Sequence, residues 1–134
     1  MLDRFFGRKP EPLTGAPRVP RLKTYAAQSG FVYHYYYLGH RTWRRGGDHG
    51  SEYVFDVSAD RKTFRHLSVS MSDRAAASWE ARHGRALIAA ERYAIAKMAL
   101  FQAFDERPAP ALPGAAILVR PADVDAILET LGIE

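Results

Sequence analysis

The sequence predicts an α+β domain: a three-stranded antiparallel meander followed by two helices, a short fourth strand and a C-terminal helix. Three observations predict it. Between Phe31 and Met71 the chain holds strand-like runs, the later ones with the two-residue alternation of strands that bury one face. From Ser72 onward the pattern changes to helix signals, with Ser72 as N-cap, Asp73 at the positive end of the dipole and Gly84 as the stop. Near the end, Pro121 suits the first position of a helix and Gly132 closes it.

The first 24 residues read as a basic arm, punctuated by Pro10, Pro12, Pro17 and Pro20 with Gly7 and Gly15, so continuous helix or sheet is not expected there. A flexible terminus is the expectation, with a single turn at Leu2 to Phe6 as the alternative. Residues 25–134 read as one domain. The whole chain carries a net charge of +4, and the arm's six basic and two acidic residues account for all of it. The remainder is formally neutral, which weakens a nucleic-acid reading, because a duplex-binding domain carries its positive surface on the folded body.

The first strand starts at Phe31 and extends toward Arg45, through Tyr33-His34-Tyr35-Tyr36-Tyr37. Half of the chain's aromatic residues fall between Phe31 and Phe55. A strand with tyrosine on both faces needs a partner for each. In the second strand, Glu52 to Ser58, residues Tyr53, Phe55 and Val57 share a face. In the third, Thr63 to Met71, the shared face is Leu67, Val69 and Met71. Bringing these apolar sets together requires paired residue numbers with an even sum, and hence a short odd-length turn of three residues centred on Arg61. Extended to the first hairpin, turning near Gly47-Asp48, the same parity places Trp43 opposite Tyr53 and Arg41 opposite Phe55. A single bulge at Gly39 would rearrange that set.

The first helix should run to about His83. A second, from Ala86 to about Glu106, is apolar nearly all round and so buried on several sides, as a central helix or a dimer contact. Arg107 to Gly114, with its three prolines, reads as a linker, Ala115 to Arg120 as a short buried strand, and Pro121 to Leu131 as a helix docked by Ile127, Leu128 and Leu131.

Composition narrows the chemistry. Without cysteine there is no disulfide, thiolate metal site or thiol nucleophile, which is compatible with the cytoplasm, the compartment expected here. No stretch approaches the roughly 18–20 unbroken apolar residues of a membrane span, and the opening residues lack the apolar run of a secretion signal. Phosphate-loop, dinucleotide-loop, His-Glu-x-x-His and Gly-x-Ser-x-Gly patterns are all missing. The reading therefore leans away from an enzyme, and no catalytic residue, cofactor or metal is assigned. His40, Asp48, His49 and Glu52 are legitimate metal-ligand types, but their spacing matches no common structural site.

Two candidate surfaces remain. The loop around Trp43, Arg44 and Arg45 combines guanidinium forks, a stacking face and glycines, a combination suited to an anion or an acidic partner. On the even-numbered sheet face, His34, Tyr36, His40, Arg44, Asp56 and His66 would gather with Ser68, and a His–Asp pair there could move protons. Tyr33, Tyr35 and Tyr37 would line the other face as core or as contact with a second chain, since each buried hydroxyl needs a partner. The leading expectation is a small binding or protein-interaction module that associates with itself or another protein, with no membrane partner. The alternatives are a nucleic-acid-binding domain using aromatic stacking and the basic arm, and a small-molecule enzyme or sensor with a His/Asp site.

Overall fold

The computed structural model describes residues 11–106 and 116–134. The alternative of a turn at Leu2 to Phe6 and the linker from Arg107 to Gly114 lie outside them. Five strands form one sheet in sequence order: β1 (Lys23–Ala26), β2 (Val32–Arg45), β3 (Asp48–Ser58), β4 (Arg65–Ser72) and β5 (Ala116–Val119). Neighbours are antiparallel except β4 and β5, which run parallel. Helices α1 (Asp73–His83) and α2 (Ala89–Glu106) connect those two strands, and α3 (Pro121–Leu131) follows. The α+β class and the element order agree with the sequence. Strand β1 is an addition: it pairs Tyr25 with Tyr33 across a tight hairpin, inside a segment too short and polar to register as a strand.

The helices cover one face of the sheet. Tyr33, Phe55, Val69, Met71, Ile95, Leu100, Phe104, Val124, Ile127 and Leu128 are sealed in the layer between. The β3–β4 register has the expected even parity, with Tyr53 opposite Val69 and Phe55 opposite Leu67, so the apolar sets meet. The connection after Val57 is longer than three residues but still centred on Arg61, which takes the left-handed conformation (φ 65°). Its shape is held by side chains: the Asp60 carboxylate accepts from the Lys62 and Thr63 N–H groups at 2.8 and 2.9 Å, and buried Ser58 Oγ accepts from Arg61 N–H at 2.8 Å. These hydrogen bonds to the charged form hold the Asp60 carboxyl down at about 2.

Helix α1 begins as its sequence indicates. Ser72 Oγ accepts from Ala75 N–H at 3.1 Å, and Gly84 closes the helix in the left-handed conformation. Helix α2 is the central helix, packing on β4, β5 and α3. Toward its C-terminal end Phe104 stacks on Tyr33 with centroids 4.1 Å apart, and Phe101 stacks on Tyr25 at 4.2 Å. The Asp105 carboxylate completes this clamp, accepting from the Tyr25 hydroxyl at 2.8 Å and from Gln28 N–H at 3.0 Å. None of the described helices is long and apolar enough to cross a membrane.

One register expectation fails. From His34 to Tyr37, β2 pairs with β3 at an even sum, Tyr37 facing Phe55; from Gly39 onward the sum is odd. Leu38 is the extra residue, and it turns all that follows over to the other face. Trp43 consequently lies opposite Gly50, not Tyr53, and Arg41 opposite Glu52, not Phe55. Gly39 permits this. Its φ is +120°, and a side chain there would lie 2.7 Å from the Thr14 carbonyl. Thr14 approaches because the arm is docked at this point: its N–H and C=O exchange hydrogen bonds of 2.9 and 2.8 Å with the His40 backbone.

A tyrosine-lined cavity as the candidate functional site

The bulge determines which side chains meet at the N-terminal end of α2. There, β2 and β3 run past the helix, and a cavity of about 740 Å³ opens between them and residues 15–23. Strand β2 supplies Tyr35, Tyr37, His40 and Thr42; β3 supplies Ser51 and Tyr53; α2 supplies Ala89, Ala90, Arg92 and Tyr93. Gly15, Pro17, Arg21 and Lys23 complete the wall. The volume lies in the range of small-molecule sites, roughly 300–1,000 Å³.

Four phenols converge on this space. The Tyr37 hydroxyl hydrogen-bonds His40 Nδ1 at 3.1 Å, and its ring lies 4.8 Å from that of Tyr93. His40 is backed by Gly15, whose φ is +85°; a side chain on Gly15 would come within 2.8 Å of the imidazole. Tyr35 and Tyr53 are only 2% and 5% exposed, yet neither hydroxyl has a hydrogen-bond partner among the described residues, nor has that of Tyr93. Because Trp43 Nε1 is the only unpartnered side-chain polar atom fully sealed from solvent among those residues, these hydroxyls open onto the cavity. Burial pushes all four phenols upward, Tyr35 to about 12 with help from Tyr93. Each therefore remains a protonated donor at neutral pH.

Arg92 is a fixed cation in the wall. Its guanidinium lies 3.6 Å from Glu80 and 3.5 Å from Asp73, and His49 Nδ1 contacts the other Asp73 oxygen at 2.7 Å. Glu80 in turn accepts from Leu87 N–H at 2.7 Å, and the Glu91 carboxylate accepts from Ile88 N–H at 3.0 Å while paired with Arg85. The Arg85 guanidinium and that N–H hold the Glu91 carboxyl at about 2. Charged side chains thus brace the entry to α2 from outside the cavity.

The sequence-derived surfaces are placed differently. His34, Tyr36, Asp56 and His66 do share the helix-free face, where Asp56 pairs with both Tyr36 and His66 across the sheet. None of them lines the 740 Å³ cavity or the 580 Å³ cleft at the β2–β3 hairpin end, and His34 Nδ1 meets Thr24 Oγ1 at 3.4 Å. His40 and Arg44 are removed from that face by the bulge, His40 to the cavity. Tyr33, Tyr35 and Tyr37 belong to the core alternative: α2 of the same chain covers them, so a partner surface is not made of Tyr33 or Tyr35 in this fold. At the hairpin end, Trp43, Arg44 and Arg45 border a cleft of about 580 Å³ together with Glu11, Glu52 and Asp73. There Arg41 is paired with Glu52 and Arg45 lies over the Trp43 ring, so the guanidinium charge is already partly answered. No group of three or more His, Asp or Glu able to hold a metal ion occurs among the described residues.

Sequence reasoning did not find Tyr53, Tyr93, Arg92, Arg21 or Lys23 as site residues. The usable signal was tyrosine, rather than phenylalanine, at two inward positions of facing elements. Comparison of the chain with protein-family models, curated proteins and solved structures gives no match, so function rests on the geometry of the site.

Proposed function

We propose that this chain is a binding domain whose cavity, between the N-terminal end of α2 and strands β2 and β3, holds a small organic ligand. The observation that carries this reading is the set of three phenol hydroxyls, Tyr35, Tyr53 and Tyr93, without partners among the described residues beside a space of about 740 Å³. Hydroxyls that have no partner among the described residues and open onto one shared space are free to bond an occupant, and the fold brings three of them together. The ring faces supply apolar contact and the hydroxyls supply orientation, the usual division of labour in small-molecule sites. The test is a fragment screen by ligand-observed NMR on the parent protein and on Tyr53→Phe and Tyr93→Phe. Loss of the same hits in both variants, with the amide spectrum otherwise preserved, supports the reading; hits unaffected by either substitution, or no hits, sink it.

The expected protein partner, or second copy of the chain, has a different surface to use. The helix-free sheet face leaves Val32 and Leu118 exposed at 44% and 62%, alongside the Tyr36–Phe64 ring contact. Sedimentation tests this: a strict monomer at high micromolar concentration counts against self-association through it. Nucleic-acid binding draws less support, because Arg21 and Lys23 of the basic arm line the cavity.

A further inference from the structure

The charge around the cavity narrows its ligand. Building on the binding reading above, we infer that the ligand is an organic anion, a carboxylate carried on a flat apolar or aromatic body. Among the described residues no aspartate or glutamate lines the cavity, whereas Arg21, Lys23 and Arg92 do. Arg92 has its charge opposed by Asp73 and Glu80, but Arg21 and Lys23 form no ion pair among the described residues. Two further donors stand in the same wall. Helix α2 begins with Ala89 and Ala90, both lining the cavity, and their N–H groups have no partner among the described residues, while those of Leu87 and Ile88 are taken by carboxylates and those of Glu91 and Arg92 by the Ile88 carbonyl. Free N–H groups at the positive end of a helix favour an anion.

The second, independent observation is the phenol set. Tyr35 and Tyr53, each more than nine-tenths buried, face the cavity with unpartnered hydroxyls that stay protonated at neutral pH and can therefore donate. A neutral ligand rich in donors would find, among the described residues, only hydroxyl oxygens to accept from it, those of the phenols, Ser51 and Thr42, and no carboxylate; an anion finds phenol, amide and cationic donors together. The body of such a ligand would rest against the rings of Tyr37 and Tyr93, which stand 4.8 Å apart and leave no room for a third ring between them, so it lies along them rather than intercalating.

A matched pair of probes tests the inference: 2-naphthylacetate and its neutral amide, 2-naphthylacetamide, titrated into the full chain by NMR. The acid should bind about tenfold or more tightly than the amide, as expected for charge-assisted donors. In the Arg21→Ala/Lys23→Ala double variant, whose substituted side chains are exposed and outside the core, that preference should fall several-fold. Equal affinity for acid and amide would overturn the anion assignment while leaving the cavity as a binding site. Binding of neither probe would overturn the anion assignment for this body, and if the fragment screen also gave no Tyr53-dependent hit, the binding reading would go with it. An acid preference that survives in the double variant overturns the role given to Arg21 and Lys23.

Discussion

His40 Nδ1 and the Tyr37 hydroxyl are hydrogen-bonded at 3.1 Å although the two residues are three apart in one strand. Unbroken alternation would send them to opposite faces of the sheet. They meet because Leu38 is an extra residue in β2 and Gly39 absorbs the distortion, with Thr14 docked against the bulge. A single local irregularity therefore assembles one wall of the cavity.

Gly39→Ala should separate that pair. A side chain must adopt an unfavourable positive φ and meet the Thr14 carbonyl at 2.7 Å. The cost expected is about 1–3 kcal/mol, the range for a strained backbone position. Urea denaturation measures it, and loss of amide protection at Thr14 and His40 would locate it.

Tyr53→Phe and Tyr93→Phe remove hydroxyls that have no hydrogen-bond partner among the described residues. Stability should stay within about 0.5 kcal/mol of the parent, or rise slightly, since an unpartnered polar group is deleted. A loss above about 2 kcal/mol in thermal or chemical unfolding would show that these hydroxyls serve the fold.

Phe104→Ala deletes the ring stacked on Tyr33 at 4.1 Å and sealed from solvent. Such truncations cost about 3–5 kcal/mol. Equilibrium unfolding should record that loss, whereas Ser72→Ala, which removes only the α1 cap hydrogen bond, should cost about 1 kcal/mol.

High pH should unfold the protein earlier than its charge alone predicts. Burial raises Tyr35 to about 12 and raises Tyr37, Tyr53 and Tyr93 above the usual phenol value of 10.0. Above pH 10 the unfolded chain loses these protons while the folded chain keeps them. The stabilisation is complete below about pH 10 and is lost as pH climbs toward 12. Denaturant midpoints measured across that window should fall with each step, and the fall should be shallower in Tyr35→Phe.

Much of the fold was legible because its signals are local. Ser72 and Gly84 bracket α1, Pro121 and Gly132 bracket α3, and the alternation of Tyr53 to Val57 with Leu67 to Met71 enforces the β3–β4 register. Strand β1 was not legible, since Lys23 to Ala26 offers one inward aromatic, Tyr25, and depends on β2 and Phe101 for its place. The cavity was legible only in fragments. Tyr35, Tyr53 and Tyr93 are far apart in the chain, and nothing local says that three hydroxyls end up in one space.

The sequence by itself determined the strand and helix segments apart from β1, that α2 is buried on several sides, and that the odd-numbered tyrosines of β2 turn inward up to Tyr37. Period and capping act over a few residues and need no tertiary information. Only the tertiary structure decided on which side His40 lies, where the arm docks, and that the tyrosines enclose a space instead of closing it. Those outcomes depend on one bulge and on contacts between residues distant in sequence, whose geometry no periodicity encodes.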